Sequence, residues 1–328
     1  MRRVLLVILL AVTLASGFVL LVPRGPHTEK FLEIAPGTSS RKVAAELQAN
    51  HLIWSRYAFD ILRVVKGGTL KAGEYRFDHP ARMTEIYARM LRGDVYTRSV
   101  TIPEGSNIFD IAQRVEEAQL GERDTFLAAA KKQVDLISDL DPQAKSLEGY
   151  LFPDTYHFQR QTRPEQMLLV MVKRFRQAAA SVGLSAGDHR IVTLASLVER
   201  ETPIADERPM VASVFENRLS KGMPLMTDPT VIYAALIAGK YRGTIFQSDL
   251  AAESPYNTYK HVGLPPGPIC NPGLASLKAA MTPAHTDYLY FVAASADPSG
   301  HSRFARTLEE HAQNVQAYRH ALRRTREQ

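Results

Sequence analysis

The alternation of apolar and polar positions divides the chain into a leading apolar run, two short repeating units and a long, mainly helical region. Val4 to Val22 carries no charge over 19 residues, a helix of about 29 Å, close to the thickness of a bilayer core. The pattern therefore predicts an N-terminal transmembrane helix. Phe31 to Ala35 alternates with the period of a strand, Pro36-Gly37 turns, and Ser39 or Ser40 caps a helix with Val43, Ala44 and Leu47 on one face. A second helix is expected from Ser55 to Val65, ended at Gly67-Gly68, and a strand around Gly73 to Phe77 completes a β-α-α-β order. A further helix starts at Met83-Thr84-Glu85 and runs through Leu91.

The pattern then repeats. Val100 to Ala112 echoes Leu32 to Ala44, with Ile34, Gly37, Thr38, Val43 and Ala44 matched by Ile102, Gly105, Ser106, Ile111 and Ala112. Strand, glycine turn, hydroxyl cap and amphipathic helix recur at one offset, 68 residues from Gly37 to Gly105, which marks an internal repeat of two copies. The β-α-α-β order resembles LysM modules, which implies binding of N-acetylglucosamine-containing glycans; a plain α+β packing unit accounts for the same pattern. From Leu147 to Tyr156 the chain is aromatic and proline-punctuated, an extended segment. Helices follow at Pro164 to Val182, Asp188 to Thr202, from Asp206 or Glu207 to Gly222, from Thr227-Asp228-Pro229 to about Ala238, at Leu274 to Met281 and at Thr307 to Arg323, with a strand at Tyr288 to Ala294. Between them, Ser254 to Gly273 is a long irregular stretch of the kind that serves function in a compact domain.

The expected class is α+β. Its divisions are a cytoplasmic tail (1–3), a transmembrane anchor (4–22), a linker (23–30), a LysM-like unit (31–97), a related second small unit (98–146) and a mainly helical domain (147–328).

Composition adds limits. With 40 Lys+Arg against 34 Asp+Glu over 328 residues, the net charge is +6 and the basic residues are scattered. No basic block interleaves with aromatics, so nucleic acid is not an expected partner; an anionic polymer or a lipid bilayer surface is. Cys270 is the one cysteine, which excludes an internal disulfide and any CxxC metal or redox site, and it reads as a buried loop residue. Arg2 and Arg3 before the apolar run favour a cytoplasmic N-terminus with the rest of the chain outside. The competing signal peptide has small residues from Ala11 to Gly17 but no good A-x-A cleavage site.

Phosphate-loop, dinucleotide, HExxH and GxSxG motifs are absent from the sequence. What remains is carboxylate chemistry beside aromatic and amide groups. In Asp188 to Pro203, Ile191, Leu194, Leu197 and Val198 share one helical stripe and Glu201 falls on it, whereas Glu199 and Arg200 point to the flanks. An acid on an apolar face, at the negative pole of a helix, has its pKa raised, as a general acid near neutral pH requires. Asp206, Glu207 and Asp228 are candidate second acids, but helix N-terminal roles account for each. Tyr256, Asn257, Thr258 and Tyr259 could hold sugar rings and N-acetyl groups, or form a turn with buried tyrosines. Asn217 could orient Glu201 or cap its helix. Glu148 and Asp154 read as solvated loop charges.

Six ordered segments carry a family resemblance: L-E-G-Y-L-F-P-D-T-Y from Leu147, L-A-S-L-V-E-R-E-T from Leu194, V-A-S-V-F-E-N-R-L from Val211, T-D-P-T-V-I-Y from Thr227, Y-N-T-Y from Tyr256, and G-L-P-P-G-P-I-x-N-P-G from Gly263. Together they resemble the endolytic murein transglycosylases, the YceG-like family. The resemblance implies a lysozyme-like catalytic domain with no metal or cofactor. It implies cleavage of the β-1,4 bond between N-acetylmuramic acid and N-acetylglucosamine in peptidoglycan glycan strands, leaving 1,6-anhydromuramoyl ends. It assigns catalysis to the second acid of E-x-E-T, Glu201, followed by Thr202, and suggests peptidoglycan synthases as partners. A hydrolytic muramidase and a non-catalytic wall-binding scaffold are the alternatives.

Overall fold

The computed structural model describes the backbone of residues 2–185, 187–295, 297 and 300–326; side chains at 2, 5, 8, 9, 11–16 and 324–326 lie outside that description. The chain forms two compact units, one of Met1–Arg98 with His157–Gln161, the other of Ser99–Tyr156 with Thr162–Gln328.

In the first unit, α1 (Arg2–Leu21) precedes β1 (Lys30–Ile34), α2 (Ser40–Ala49), α3 (Arg56–Lys66), β2 (Gly73–Phe77) and α4 (Met83–Arg92). β1 and β2 pair antiparallel with Leu32 opposite Tyr75. Alternation places Leu32 and Ile34 inward, and the helical spacing buries Val43, Ala44 and Leu47, with Phe59, Tyr75, Phe77, Ile86 and Met90 filling the core. Glu74 is buried at the end of this sheet and is held by Arg160, whose Nε lies 2.9 Å from Oε2. The β-α-α-β order therefore forms as the periodicity predicts.

Helix α1 covers the apolar run, but among the described residues no helix is long and apolar enough to cross a membrane, so the expected bilayer span is not shown. Much of the run from Val4 falls on side chains outside the description. At the other end the protein itself engages the helix. Val19 and Leu20 pack on the first unit's core, the Phe18 ring lies 5.3 Å from Trp54, and Trp54 Nε1 donates to the Val22 carbonyl at 3.1 Å. With that end held, Val4 to Gly17 supplies roughly 21 Å of helix against the ~30 Å of a bilayer core.

Apart from Arg98, His157 and Phe158, which fall in the first unit, the second unit contains β3 (Arg98–Thr101), α5 (Ile108–Glu117), α6 (Arg123–Lys132), β4 (Thr155–Phe158), α7 (Pro164–Val182), α8 (His189–Glu201), α9 (Arg208–Ser220), α10 (Asp228–Ile237), α11 (Gln247–Leu250), α12 (Leu274–Met281), β5 (Tyr290–Ala293), β6 (Ser302–Ala305) and α13 (Leu308–Arg326). A 3₁₀ turn, Ala205–Glu207, leads into α9, which starts at Arg208, one or two residues after the start expected at Glu207 or Asp206. β5 and β6 pair antiparallel.

The repeat is visible in the backbone. Gly37 at φ 80° and Gly105 at φ 76° make the same left-handed turn, which suits glycine. The caps are Ser39, accepting from Lys42 N, and Asn107, accepting from Phe109 N and Asp110 N at 2.9 and 3.0 Å. Ser106, expected as the hydroxyl cap, instead donates to the Pro103 carbonyl at 2.8 Å. The stretch 98–146, expected as a small unit of its own, is part of the larger second unit. The cause is a buried knot. Glu148, 1% exposed, accepts from Ile108 N at 2.9 Å and from Asn271 Nδ2 at 2.9 Å, while Asn271 also binds Ser106 O and Leu151 N. Glu148 is thus a structural core acid, contrary to its reading as a solvated loop charge.

Candidate active site

Helix α8 runs through the middle of the second unit, packed by α9, α10 and α12. Every residue from Val192 to Val198 is buried, so the predicted single stripe is in fact a helix covered all round. Its polar residues are consumed in fixing loops. Ser196 accepts from Ile269 N at 3.1 Å, and its carbonyl faces the buried Cys270 thiol at 3.3 Å. Glu199 pairs with Arg208 at 3.1 Å and accepts from Gly273 N at 2.9 Å. The helix ends at Glu201 because Thr202 turns to φ −140°, ψ 130°, the extended geometry required before Pro203. Thr202 Oγ1 accepts from Ile204 N at 3.1 Å and so fixes the exit.

Glu201 alone of the two acids on this turn opens outward. It is half-buried on the wall of a cleft of about 420 Å³ shared with Phe215, Arg218, Thr227, Asp228, Tyr259 and Tyr290. Burial drives its pKa up to about 7; Asp228 pushes in the same direction, and the Thr227 hydroxyl, Arg218 and Arg200 pull against it. Thr227 Oγ1 is itself buried without a hydrogen bond of ordinary geometry. Tyr259 donates to Asp228 Oδ1 at 2.6 Å, and burial together with that bond raises the phenol's pKa. Asp228 is the first residue of α10, with Thr227 in the cap position that Asp228 was expected to hold.

The other residues singled out in the sequence have different partners. Asn217 donates to the carbonyls of Thr286 and Tyr288 at 2.7 and 2.9 Å, pinning the approach to β5 rather than orienting Glu201. Asn257, fully buried, donates to Leu250 O and Ala252 O and accepts from Tyr259 N. Thr258, 1% exposed, accepts from Thr227 N at 3.1 Å and lies 2.9 Å from Thr230 Oγ1. Tyr256 packs edge-on to Tyr233 at 5.1 Å, and burial lifts its phenol to about 12. Of the Y-N-T-Y segment, therefore, Tyr259 reaches the cleft and its neighbours set the turn that delivers it. Among the other acids, Glu207 is buried on Ser302 N at 2.6 Å, Asp206 is exposed, and Asp154 pairs with Arg174 at 2.7 Å.

Sequence reasoning missed Arg218, Thr227, Tyr290 and His311. His311 stacks on Tyr290 at 5.2 Å and lines the cleft; burial, then Arg218, lowers its pKa. The missing signal was tertiary, since these side chains come from α9, α10, β5 and α13.

Fold and site together define a mixed α+β enzyme built round one helix-borne acid at an aromatic cleft. The chain belongs to the YceG-like family, whose model matches residues 32–317. It is 35% identical over 318 residues to the endolytic murein transglycosylase of Bacillus subtilis, covering 90% of this chain and 87% of that one. It is 29% identical to the endolytic murein transglycosylase of Streptococcus pneumoniae over 90% of this chain, which spans 60% of that longer relative. A crystal structure of a YceG-like protein from Listeria monocytogenes is similar at 33% identity and a TM-score of 0.56, over 88% of this chain and 99% of that one.

Proposed function

We propose that this chain is an endolytic murein transglycosylase, a lyase that cuts the N-acetylmuramic acid β-1,4-N-acetylglucosamine bond of peptidoglycan. The observation that carries the reading is Glu201, the second acid of the E-x-E-T segment, a carboxyl raised to about 7 and facing a cleft. Protonated Glu201 donates to the glycosidic oxygen as the bond from muramoyl C1 breaks, releasing the 4-hydroxyl of N-acetylglucosamine. The resulting carboxylate then takes the proton of the muramoyl 6-hydroxyl as O6 bonds to C1, giving the 1,6-anhydro end and restoring the acid. No water enters.

A hydrolase needs a second carboxylate placed for water or for a covalent intermediate. Asp228 shares the cleft but is bonded by Tyr259, Glu207 is buried in the β6 contact, and Asp206 is exposed. The aromatic ring of Tyr259 on the cleft wall supplies a surface for a sugar. Mass spectrometry of products from purified glycan strands tests the reading. Anhydro ends are expected, and products heavier by one water would instead make the chain a muramidase.

The proposal extends to location. Arg2 and Arg3 before an uncharged run support a helix tethering the chain to the cytoplasmic membrane, with the catalytic unit outside, where peptidoglycan and its synthases lie. The β-α-α-β unit is proposed as a LysM-like glycan-binding module. Membrane fractionation and protease accessibility in cells check the placement.

A further inference from the structure

The cleft contains a cation that the proton transfers described above do not use. Arg218 extends from α9 with Nε donating to Leu289 O at 2.6 Å and Nη1 donating to Leu225 O at 2.7 Å, and its guanidinium lies 5.3 Å from the centre of the Tyr290 ring. Two main-chain carbonyls and an aromatic face thus fix it. Among the described residues it forms no ion pair, whereas Arg208 pairs with Glu199. A guanidinium held in place without a counter-ion in a half-buried cleft is costly unless a negative charge visits it. The charge that appears there during the proposed cycle is Glu201's own, between giving up one proton and taking the next.

We infer that Arg218 is a positioning residue that stabilises the transient Glu201 carboxylate and so sets the acid's working range; this rests on the transglycosylase reading. Burial holds the guanidinium's own pKa below its ordinary value, and Glu201 feels its charge as a pull toward the ionised form. Other groups bear on the same point. Facing Glu201 are Asp228 from α10 and Arg200 from its own helix; facing Arg218 are Tyr259, Tyr290 from β5 and His311 from α13. Asp228, which accepts from Tyr259, acts on Glu201 in the opposite sense to Arg218. Burial, then Arg218, lowers the pKa of His311. Among the described residues Arg218 is the one arginine or lysine lining the cleft.

The test is the pH profile for release of anhydro-ended products by the full-length chain and its R218M and R218K variants. Activity requires protonated Glu201, so the wild-type profile falls as pH rises through about 7. R218M should move that alkaline limb up by about one pH unit and lower kcat about tenfold or more with little change in KM, since the charge acts on the acid and not on ground-state binding. R218K should hold the limb in place with an intermediate kcat. An unmoved limb in R218M, or a loss confined to KM, overturns the inference. If R218M does not fold, as judged by circular dichroism, R218K decides: a limb displaced by a full unit while the charge remains would overturn it equally. Wild-type protein that makes no anhydro ends would instead sink the transglycosylase reading, so the two failures are distinct.

Discussion

Two acids in the second unit are pushed in the same direction by burial and stand in opposite surroundings. Glu148 is raised to about 8 and Glu201 to about 7. Glu148 sits where three segments meet, and its oxygens are occupied by Ile108 N and the Asn271 amide. Glu201 sits at a helix end whose continuation is turned away by Thr202 and Pro203, and its carboxyl faces a cleft. A raised pKa therefore does not mark a catalytic group. What separates the two is whether the carboxyl's hydrogen-bonding capacity is already filled by the protein.

The sharpest way to break the comparison is substitution at Glu201. E201Q should lower turnover on glycan strands by about 10³-fold or more while circular dichroism and melting stay native, because an acid in an open cleft contributes chemistry and little cohesion. Retention of more than a tenth of the activity would remove Glu201 from the mechanism. Glu148 should behave in the reverse sense. E148A should destabilise by about 3–5 kcal/mol in chemical denaturation, since it strands Ile108 N and the Asn271 amide, with kcat of the folded fraction close to wild type.

A smaller effect belongs to Glu199, two residues from Glu201 and buried against Arg208 and Gly273 N. E199Q should cost about 1–3 kcal/mol and leave most of the activity, which separates the two acids of E-x-E-T by assay. The finest test is the pH dependence of stability. Glu148 has an ordinary value of 4.5 and a folded value of about 8, so over that interval the folded chain holds a proton the unfolded chain has released. Stability must fall as pH rises from 4.5 to 8, by at most about 1.4 kcal/mol per unit from this group, and E148Q should flatten the slope in pH-resolved melting curves.

The sequence carried the local part of this architecture. Periodicity located β1, α2, β2 and α7 because each buries one face, and Pro164 and Gly183 punctuate α7 visibly. It located Glu201 too, though through a stripe that does not exist. α8 is buried all round, so the residue's exposure comes from Pro203 and from the neighbouring helices, not from its angular position. The knot at Glu148 could not be read, because its bonds join positions 40 and 123 residues away. Nor could Arg218 and His311, whose place in the cleft depends on α9 and α13 meeting β5. Asn257 and Thr258 stood out in the sequence, but Asn257 binds carbonyls of the chain just before it and Thr258 binds Thr227 N and the Thr230 hydroxyl at the start of α10. The bilayer reading failed to anticipate that Val19 and Leu20 would be claimed by the first unit's core.

The duplicated strand, turn and helix has a corollary for how the chain can be altered. The first copy closes on its own hydrophobic centre, whereas the second lends the amide at the start of α5 to Glu148 and so has become part of its host. Excising the first copy alone would strand the buried Glu74 without Arg160, and excising the second would strand Glu148.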